Sequence, residues 1–382
     1  MHTELRSVDE LRAHAARHGD LRGVVAHGLD LRGVDALLAT VSSAGSVYLG
    51  CALLPAGRRH IDATGGAIFP DLPYLPYRPY RPHLYTVDEL MEGYRAGEDH
   101  SRAETTDGRI WQWYRTRREE RGARVPLVEA VAQRLHDHAM DNALADLLED
   151  DPARPGSPRR VVAIMGGHAL ARTDAAYREV VTLGRLLAQA DLLVATGGGP
   201  GAMEAAHLGA WLRDEDDSAI DHALALLAPA PTFRDPGWID TADAVRQRFP
   251  AGRRVDSLAI PTWFYGHEPT NLFAGQVAKY FSNSLREDGL LAIATSGVVY
   301  APGSAGTVQE VFMDAAQNHY GTFRLVSPMV FLGAAYWTAE RPVRALIERL
   351  AAGRQYAELL AFVDTPQQAV DFLLAHPPVV FR

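Results

Sequence analysis

The sequence predicts an α/β protein: a doubly wound, Rossmann-like parallel sheet preceded by an additional N-terminal α+β domain. Three observations lead there. After residue 158, short apolar runs without polar alternation recur between segments of helical spacing. That is the pattern of strands covered on both faces and joined by right-handed βαβ crossovers. Glycine clusters close three of those runs: "MGGHA" (165–169), "TGGGPGAME" (196–204) and "PGSAGTVQE" (302–310). The stretch "DDPARPGSPRR" (150–160) concentrates proline, glycine and charge, as a linker does. The expected division is an N-terminal domain over 1–150, a linker over 151–158 and the Rossmann-like domain over 159–382.

The N-terminal part offers fewer signals. "SVYLGCALLP" (46–55) reads as a strand, and "VPLVEAVAQRLHDHAMDNALADLL" (125–148) as one or two helices. "LDLRGV" (29–34) echoes "GDLRGV" (19–24) ten residues on. Two copies read as chance or a local duplication, not as a repeat architecture. "DLPYLPYRPYRPHLY" (71–85) places proline at 73, 76, 79 and 82, which favours polyproline II. It is either a rigid loop packed on the surface or an arm reaching a partner subunit or covering a site.

The second part reads element by element. "RRVVAIMGG" (159–167) is a strand running into glycines. "TDAAYREVVTLGRLLAQA" (173–190) is a helix with Thr173 or Asp174 as N-cap. "DLLVATGGGPG" (191–201) is a strand and loop, "AMEAAHLGAWL" (202–212) a helix, and "VDSLAIPTWF" (255–264) a strand. Residues 271–294 read as mostly helical with a break near Gly289. "GVVYAPGSAG" (297–306) is strand then loop, and "TVQEVFMDAAQNHY" (307–320) a helix. "RLVSPMVFLG" (324–333) is a strand, with helices near 335–350 and 365–375.

Composition narrows the partners. The 382 residues are 47% apolar, enough for a large core, and the net charge is −9. That balance speaks against a nucleic-acid polymer or an anionic membrane as the main partner, while a few local donors still suffice for a small anion. A single cysteine, Cys51, leaves no intramolecular disulfide and no thiolate metal cluster, as in a reducing cytosol. The first residues are charged throughout, unlike a signal peptide, and no uncharged apolar run approaches the roughly 18–20 residues that span a bilayer. A cytoplasmic protein is expected. Of the 38 basic residues only Lys279 is a lysine, so a Schiff base would have one candidate.

The glycine loops carry the chemistry. Glycine allows positive φ and close approach to a ligand. A helix that starts at such a loop points unpaired N–H groups and its positive dipole end at the same place. The expected guest is a phosphate. Gly166, Gly167 and His168 belong to the first loop, Gly198, Gly199 and Gly201 to the second, with Glu204 just beyond. Gly303, Ser304, Gly306 and Thr307 belong to the third. None is a Walker P-loop, since Lys279 lies elsewhere, and none is a dinucleotide fingerprint in the usual place. Glu310 lies three residues after Thr307, about one helical turn. It is either the far half of a capping box, Thr307-x-x-Glu310, or a working carboxylate beside the phosphate. Asp314 follows four residues later on the same face, and Arg286 lies upstream.

"TGGGPGAMEAAHLGA" (196–210) together with "PGSAGTVQE" resembles the paired motifs GGG-x-x-G and PGG-x-GT-x-x-E of the Lonely Guy (LOG) family. The resemblance covers roughly 158–376, including "FVDTPQQAVDFLL" (362–374) as closing strand and helix. Members are often labelled lysine decarboxylases, but the characterised ones are phosphoribohydrolases. They cleave the N-glycosidic bond of a nucleoside monophosphate to free base and ribose 5-phosphate. The resemblance implies Glu310 and Arg286 as catalytic residues, the glycine loops with Ser304 and Thr307 as phosphate binders, no resident cofactor, and a homodimer or higher homo-oligomer. Arg286 lies 16 residues ahead of Pro302, one more than the family spacing. Ser304 replaces the second motif glycine. "NSLREDG" (283–289) stands where plant-type members carry M-x-x-R-K, and "YGHEPTN" (265–271) is closer to the relatives called nucleotide 5'-monophosphate nucleosidases, which act on ordinary purine and pyrimidine nucleotides, than to the members that release cytokinins. Glu204, His168, Asp314 and Glu268 are further candidates for the site. A domain that binds a nucleotide without cleaving it, as a sensor or scaffold, is the alternative.

Overall fold

The computed structural model describes residues 3–120, 125–250, 257–265 and 269–382. They form two compact units: residues 1–84 with 117–144, and residues 85–116 with 145–382. The sequence-based division at 151–158 differs from this one. Residues 85–116 group with the second unit, and so does the expected linker. Within that linker Asp151 is buried, accepts from the backbone N–H of Ala153 (3.0 Å) and from Arg154 Nε (3.1 Å), and donates its own N–H to Ser157 (2.8 Å). It is a hydrogen-bonded turn.

Strands and helices alternate in the first unit: β1 (Thr3–Leu5), α1 (Val8–His18), β2 (Val24–His27), α2 (Asp35–Leu38), β3 (Val47–Leu49), α3 (Pro55–Ala63) and β4 (Ala67–Phe69). The four strands pair in sequence order and all in parallel. Thr3 lies opposite Val24, Val25 opposite Val47 and Val47 opposite Ala67, so successive turns advance by 21, 22 and 20 residues (24 − 3, 47 − 25, 67 − 47). This is a coiled strand–helix stack with a regular period that the sequence reading did not detect. The period is carried by which positions are buried and not by residue identity. The ten-residue echo is something else: its two copies flank β2. Asp20 and Asp30 each accept the N–H two residues on (3.2 Å), and Leu21 and Leu31 are both fully buried.

The proline-rich segment 71–84 is packed, as a rigid loop and not an arm. Tyr77 and Tyr80 are buried. Tyr77 donates its hydroxyl to Glu129 (3.0 Å), and the Tyr80 ring lies where a side chain on Gly50 would stand, 2.5 Å from its Cβ position.

In the remaining chain come α4 (Val87–Met91), α5 (Thr106–Glu120) and α6 (Leu127–Glu149), then the sheet domain: β5 (Val161–Met165), α7 (Ala175–Gln189), β6 (Leu193–Thr196), α8 (Ala202–Trp211), α9 (Ser218–Leu227), α10 (Trp238–Arg248), β7 (Ser257–Ala259), β8 (Gln276–Val277), α11 (Asn283–Ile293), β9 (Val298–Tyr300), α12 (Ala305–Tyr320), β10 (Leu325–Val326), β11 (Met329–Leu332), α13 (Arg344–Ala351), β12 (Leu360–Val363), α14 (Pro366–Ala375) and β13 (Val379–Val380). Seven strands form one sheet in the order β12-β11-β9-β5-β6-β7-β8, every pair parallel. This is the doubly wound Rossmann-like fold. Strands β5, β6, β9 and β11 are buried throughout, as near-continuous apolar runs between two helix layers must be.

Three expectations are corrected. Residues 271–282 are not helical: β8 pairs with β7 there, and the helix begins only at Asn283, running through Gly289. Leu272 to Ala274 and Val277 to Phe281 are buried almost without interruption, which an extended segment between two layers satisfies. Gly289 has open space at its Cβ position, so nothing there demands a break. The run 324–333 splits at Pro328: β10 pairs antiparallel with β13, and β11 joins the sheet. Pro342 likewise separates a short π-turn (Tyr336–Glu340) from α13.

The chain builds outward from β5 through β6, β7 and β8, then returns to add β9, β11 and β12 on the other side. The direction reverses between β5 and β9. Loops leaving these two strands diverge, which opens a crevice at their carboxyl ends.

Candidate functional site

A cavity of about 280 Å³ occupies that crevice. Its walls come from the end of β5 (Met165 through His168), from Gly197 after β6, from Arg286 and Glu287 on α11, and from Ser304, Gly306, Thr307, Gln309 and Glu310 at the start of α12.

Pro302-Gly303-Ser304 turns the chain into α12. Ser304 is the N-cap, with φ −101°, and the helix begins at Ala305. Three consequences follow. A serine in place of the motif glycine carries no backbone strain there. Thr307 is inside the helix and not at its cap, so the capping-box reading of Thr307 and Glu310 falls. The N–H groups of the first turn have no intrahelical acceptor and open toward the cavity side. The loop is held from outside: the Tyr336 hydroxyl donates to the carbonyl of Gly303 (2.5 Å), and Gly167 donates its N–H to the carbonyl of Pro302 (3.1 Å). Gly303 has no room for a side chain, because a Cβ would overlap Thr307 Oγ1. Gly306 faces open space.

The second glycine loop works differently from expectation. The first N–H of α8, on Ala202, is already bonded to the carbonyl of Gly167 (3.1 Å), so this helix does not offer it to a guest. Gly198 and Gly201 hold φ of +75° and +71°, and a Cβ on Gly201 would stand 2.8 Å from His168. A Cβ on Gly197 would collide with the Arg286 guanidinium. These glycines let the loops after β5 and β6 and the arginine pack together.

Arg286 is buried. Its Nε donates to the carbonyl of Ile260 (2.8 Å) and its Nη2 to that of Gly197 (3.2 Å), which fixes the fork and leaves Nη1 without a hydrogen bond among the described residues. Glu310 has no hydrogen bond or ion pair among the described residues. Burial pushes its carboxyl up from 4.5 to about 7, against the pull of the Arg286 charge, with Glu287 adding to the rise. Glu287 accepts from Asn283 (2.8 Å), from Gln309 (3.2 Å) and, more weakly, from the Tyr265 hydroxyl (3.4 Å). This network ties α11 to α12 along one side of the cavity.

The structure therefore brings Gly166, Gly167, His168, Arg286, Ser304, Gly306, Thr307 and Glu310 together, and leaves Gly198, Gly199, Gly201, Gly303, Glu204 and Asp314 off the cavity wall. Glu204 is buried in a bidentate pair with Arg172 (2.5 and 3.0 Å) and also accepts from Tyr177 (2.9 Å). Arg172 in turn donates to the carbonyls of Ala230 and Trp238 and lies over the Trp238 ring. Glu204 is a packing residue, beside a smaller cavity of about 100 Å³ that His168 also lines. Asp314 is fully covered, accepting from the Tyr300 hydroxyl (2.7 Å) and from Asn318 (3.3 Å). Burial pushes it up to about 7 as well, with the Tyr300 bond opposing. Glu268 lies outside the described residues. Sequence reasoning missed Tyr265, Glu287, Gln309, Gly197 and Met203. Glu287 and Gln309 adjoin Arg286 and Glu310, and their contact needed the helix pairing that only the fold supplies. No group of three His, Cys, Asp or Glu side chains placed to hold a metal ion occurs among the described residues, and none of the helices among them is long and apolar enough to cross a membrane.

Fold and site together define a Rossmann-like α/β protein with a small cavity at its switch point. No family model matches the chain, and no curated protein matches it. Among solved structures, it is similar to the molybdenum cofactor binding protein from the phototrophic bacterium Rippkaea orientalis, at 14% identity over 57% of this chain and 96% of that one, with a TM-score of 0.37. It is likewise similar to the molybdenum cofactor carrier protein from Chlamydomonas reinhardtii, at 16% identity over 57% of this chain and 99% of that one, with a TM-score of 0.35. Likeness at this level says nothing of what this chain binds.

Proposed function

We propose that the protein is a LOG-type phosphoribohydrolase, cleaving the N-glycosidic bond of a nucleoside 5'-monophosphate to free base and ribose 5-phosphate. The observation that carries the reading is Glu310: an unpartnered carboxyl in a cavity, close enough to feel the Arg286 charge, beside the open first turn of α12.

The 5'-phosphate sits against the first-turn N–H groups of α12, with Ser304 and Thr307 offering hydroxyls. Gly166, Gly167 and Gly306 allow it to approach the backbone closely. The ribose then lies beside Glu310. As the C1'–N bond lengthens, its electron pair moves to the base, which takes up a proton, and positive charge develops on the sugar. The Glu310 carboxylate stabilises that charge and accepts a proton from the water whose oxygen bonds to C1'. A carboxyl near pH 7 is matched to taking and returning a proton at neutral pH. Arg286 keeps Glu310 ionised often enough to act, and its Nη1 remains to bind substrate. Tyr265 and Met203 offer the less polar surface for the base. The same reading has a homodimer in the cytoplasm, with a small nucleotide as partner and no resident cofactor.

The test is incubation with AMP, GMP, CMP, UMP and a cytokinin ribotide, with chromatography for free base. At least one should release base and ribose 5-phosphate in equal amounts. Glu310→Gln should lower turnover by about 100-fold or more while nucleotide binding persists. Binding without release of base from any nucleotide would make the protein a nucleotide sensor or scaffold instead.

A further inference from the structure

A second and larger cavity, of about 410 Å³, lies wholly within the unit that carries the sheet. It shares no lining residue with the first. Its size is within the roughly 300–1,000 Å³ of small-molecule sites. Among its lining residues is the only lysine in the chain. Lys279 is 4% exposed, and its Nζ stands 2.7 Å from Asp107 Oδ1. The Trp263 indole N–H also donates to Oδ1 (2.7 Å), and the Thr270 hydroxyl donates to Oδ2 (2.9 Å). Three donors thus converge on one buried carboxylate.

A buried ion pair costs desolvation on both sides, and packed apolar residues of the same volume commonly do as well or better. Here both members of the pair line a cavity. Asp107 accepts from three donors, whereas the Lys279 ammonium carries three N–H groups, gives one to Asp107 and lies 5.4 Å from the Trp263 ring centroid. Partly buried Arg102 adds a second cation to the wall. The other carboxylate there, Asp99, is engaged by the N–H of Gly237 (3.0 Å). Lys279 and Arg102 are the cationic donors on this wall. Around them stand two indoles, Trp111 and Trp263, with Met91, Ile239 and Pro269. Trp263 is fixed by edge-to-face contact with Tyr85 (6.0 Å) and by the Phe281 ring (4.6 Å).

We propose that this cavity binds a small aromatic carboxylic acid, the carboxylate received by Lys279 and Arg102 and the ring held among the indoles. The site is joined to the first cavity by a short stretch after β7. The carbonyl of Ile260 holds Arg286, Thr262 and Trp263 line the second cavity, and Tyr265 lines the first.

The test uses phenylacetate and benzoate as probes, with phenylacetamide as the neutral counterpart, on the full chain. Titration is followed by calorimetry and by tryptophan fluorescence. At least one acid should bind with Kd below about 1 mM, and the amide at least tenfold more weakly. Because Lys279→Met alone would strand a buried charge, the variant is the double Asp107→Asn/Lys279→Met, with Arg102→Gln as a milder change. Both should be folded by circular dichroism, and the double variant should bind the acid at least tenfold more weakly. The proposal is overturned if neither acid binds the wild type, if the amide binds equally well, or if binding survives unchanged in the folded double variant. If the double variant does not fold, Arg102→Gln decides by the same comparison. None of these outcomes depends on whether the first cavity hydrolyses nucleotides.

Discussion

Glu310 should make the protein less stable at alkaline pH, and replacing it with glutamine should remove that cost. Its carboxyl titrates near 4.5 in the unfolded chain and is pushed up to about 7 in the fold. A folded-state value raised above the unfolded one means the group costs nothing below pH 4.5, where both states are protonated. The cost grows as pH rises and is complete above about 7. The gap corresponds to about 3 kcal/mol, at about 1.4 kcal/mol per pH unit. From about pH 5 to about pH 8.5, linkage makes the cost grow by about 2.5 kcal/mol. Glutamine has the same shape and no charge, and no hydrogen bond of Glu310 is lost among the described residues. Glu310→Gln should therefore exceed the wild type in urea denaturation by about 1 kcal/mol near pH 5 and by about 3–3.5 kcal/mol near pH 8.5. The comparison is between two chains at each pH, so titration of other groups cancels. A difference that does not change with pH, or one that favours the wild type at pH 8.5, would refute the assignment of Glu310 as a half-buried, unpartnered carboxyl whose proton affinity the fold raises.

Two further outcomes rest on geometry alone. Gly201→Ala should lower stability by about 1–3 kcal/mol in urea melts, since φ is +71° and the new methyl group would press on the first glycine loop. Arg172→Met should cost about 3–5 kcal/mol by the same assay, because it strands the buried Glu204 carboxylate, whereas Arg178, whose side chain is half exposed, should be replaceable at little cost.

The sheet was legible where strands were long and closed by glycines. β5, β6 and β9 each run into a loop whose glycines are needed for close packing, and each sits in the middle of the sheet. The edge was not legible. β8 is two residues long, and its flanks are buried on both faces, a pattern that periodicity cannot separate from a buried helix. The first unit hid its period for another reason. A strand–helix coil needs an apolar residue at each recurring buried position, and Leu11, Leu21, Leu31, Leu38, Tyr48 and Ile61 meet that need without repeating a motif. The one repeated motif, around Asp20 and Asp30, marks two turns at the ends of one strand. In the site, the residues named from the third glycine loop and from α11 meet in one cavity, while Glu204 does not join them. Its partner Arg172 lies 32 residues earlier in sequence, and nothing local announces the pair.

Glu310 and Asp314 show most clearly what sequence leaves out. They lie four residues apart on one helix, and burial pushes both carboxyls up to about 7. Spacing and charge make them equivalent. Their surroundings do not. Asp314 accepts from Tyr300 and Asn318, and Asn318 also receives the N–H of Ser327 (2.8 Å) and donates to the carbonyl of Ser327 (3.3 Å). Tyr300 ends β9, so Asp314 fastens α12 to the strand that feeds the Pro302–Ser304 turn. Its oxygens are taken up in holding that turn in place. Glu310, one turn nearer the helix start, has no such partner and borders the cavity. A raised carboxyl becomes a candidate for chemistry only where its oxygens are left free, and here the two neighbours divide those tasks: one sets the loop, the other faces what the loop would hold.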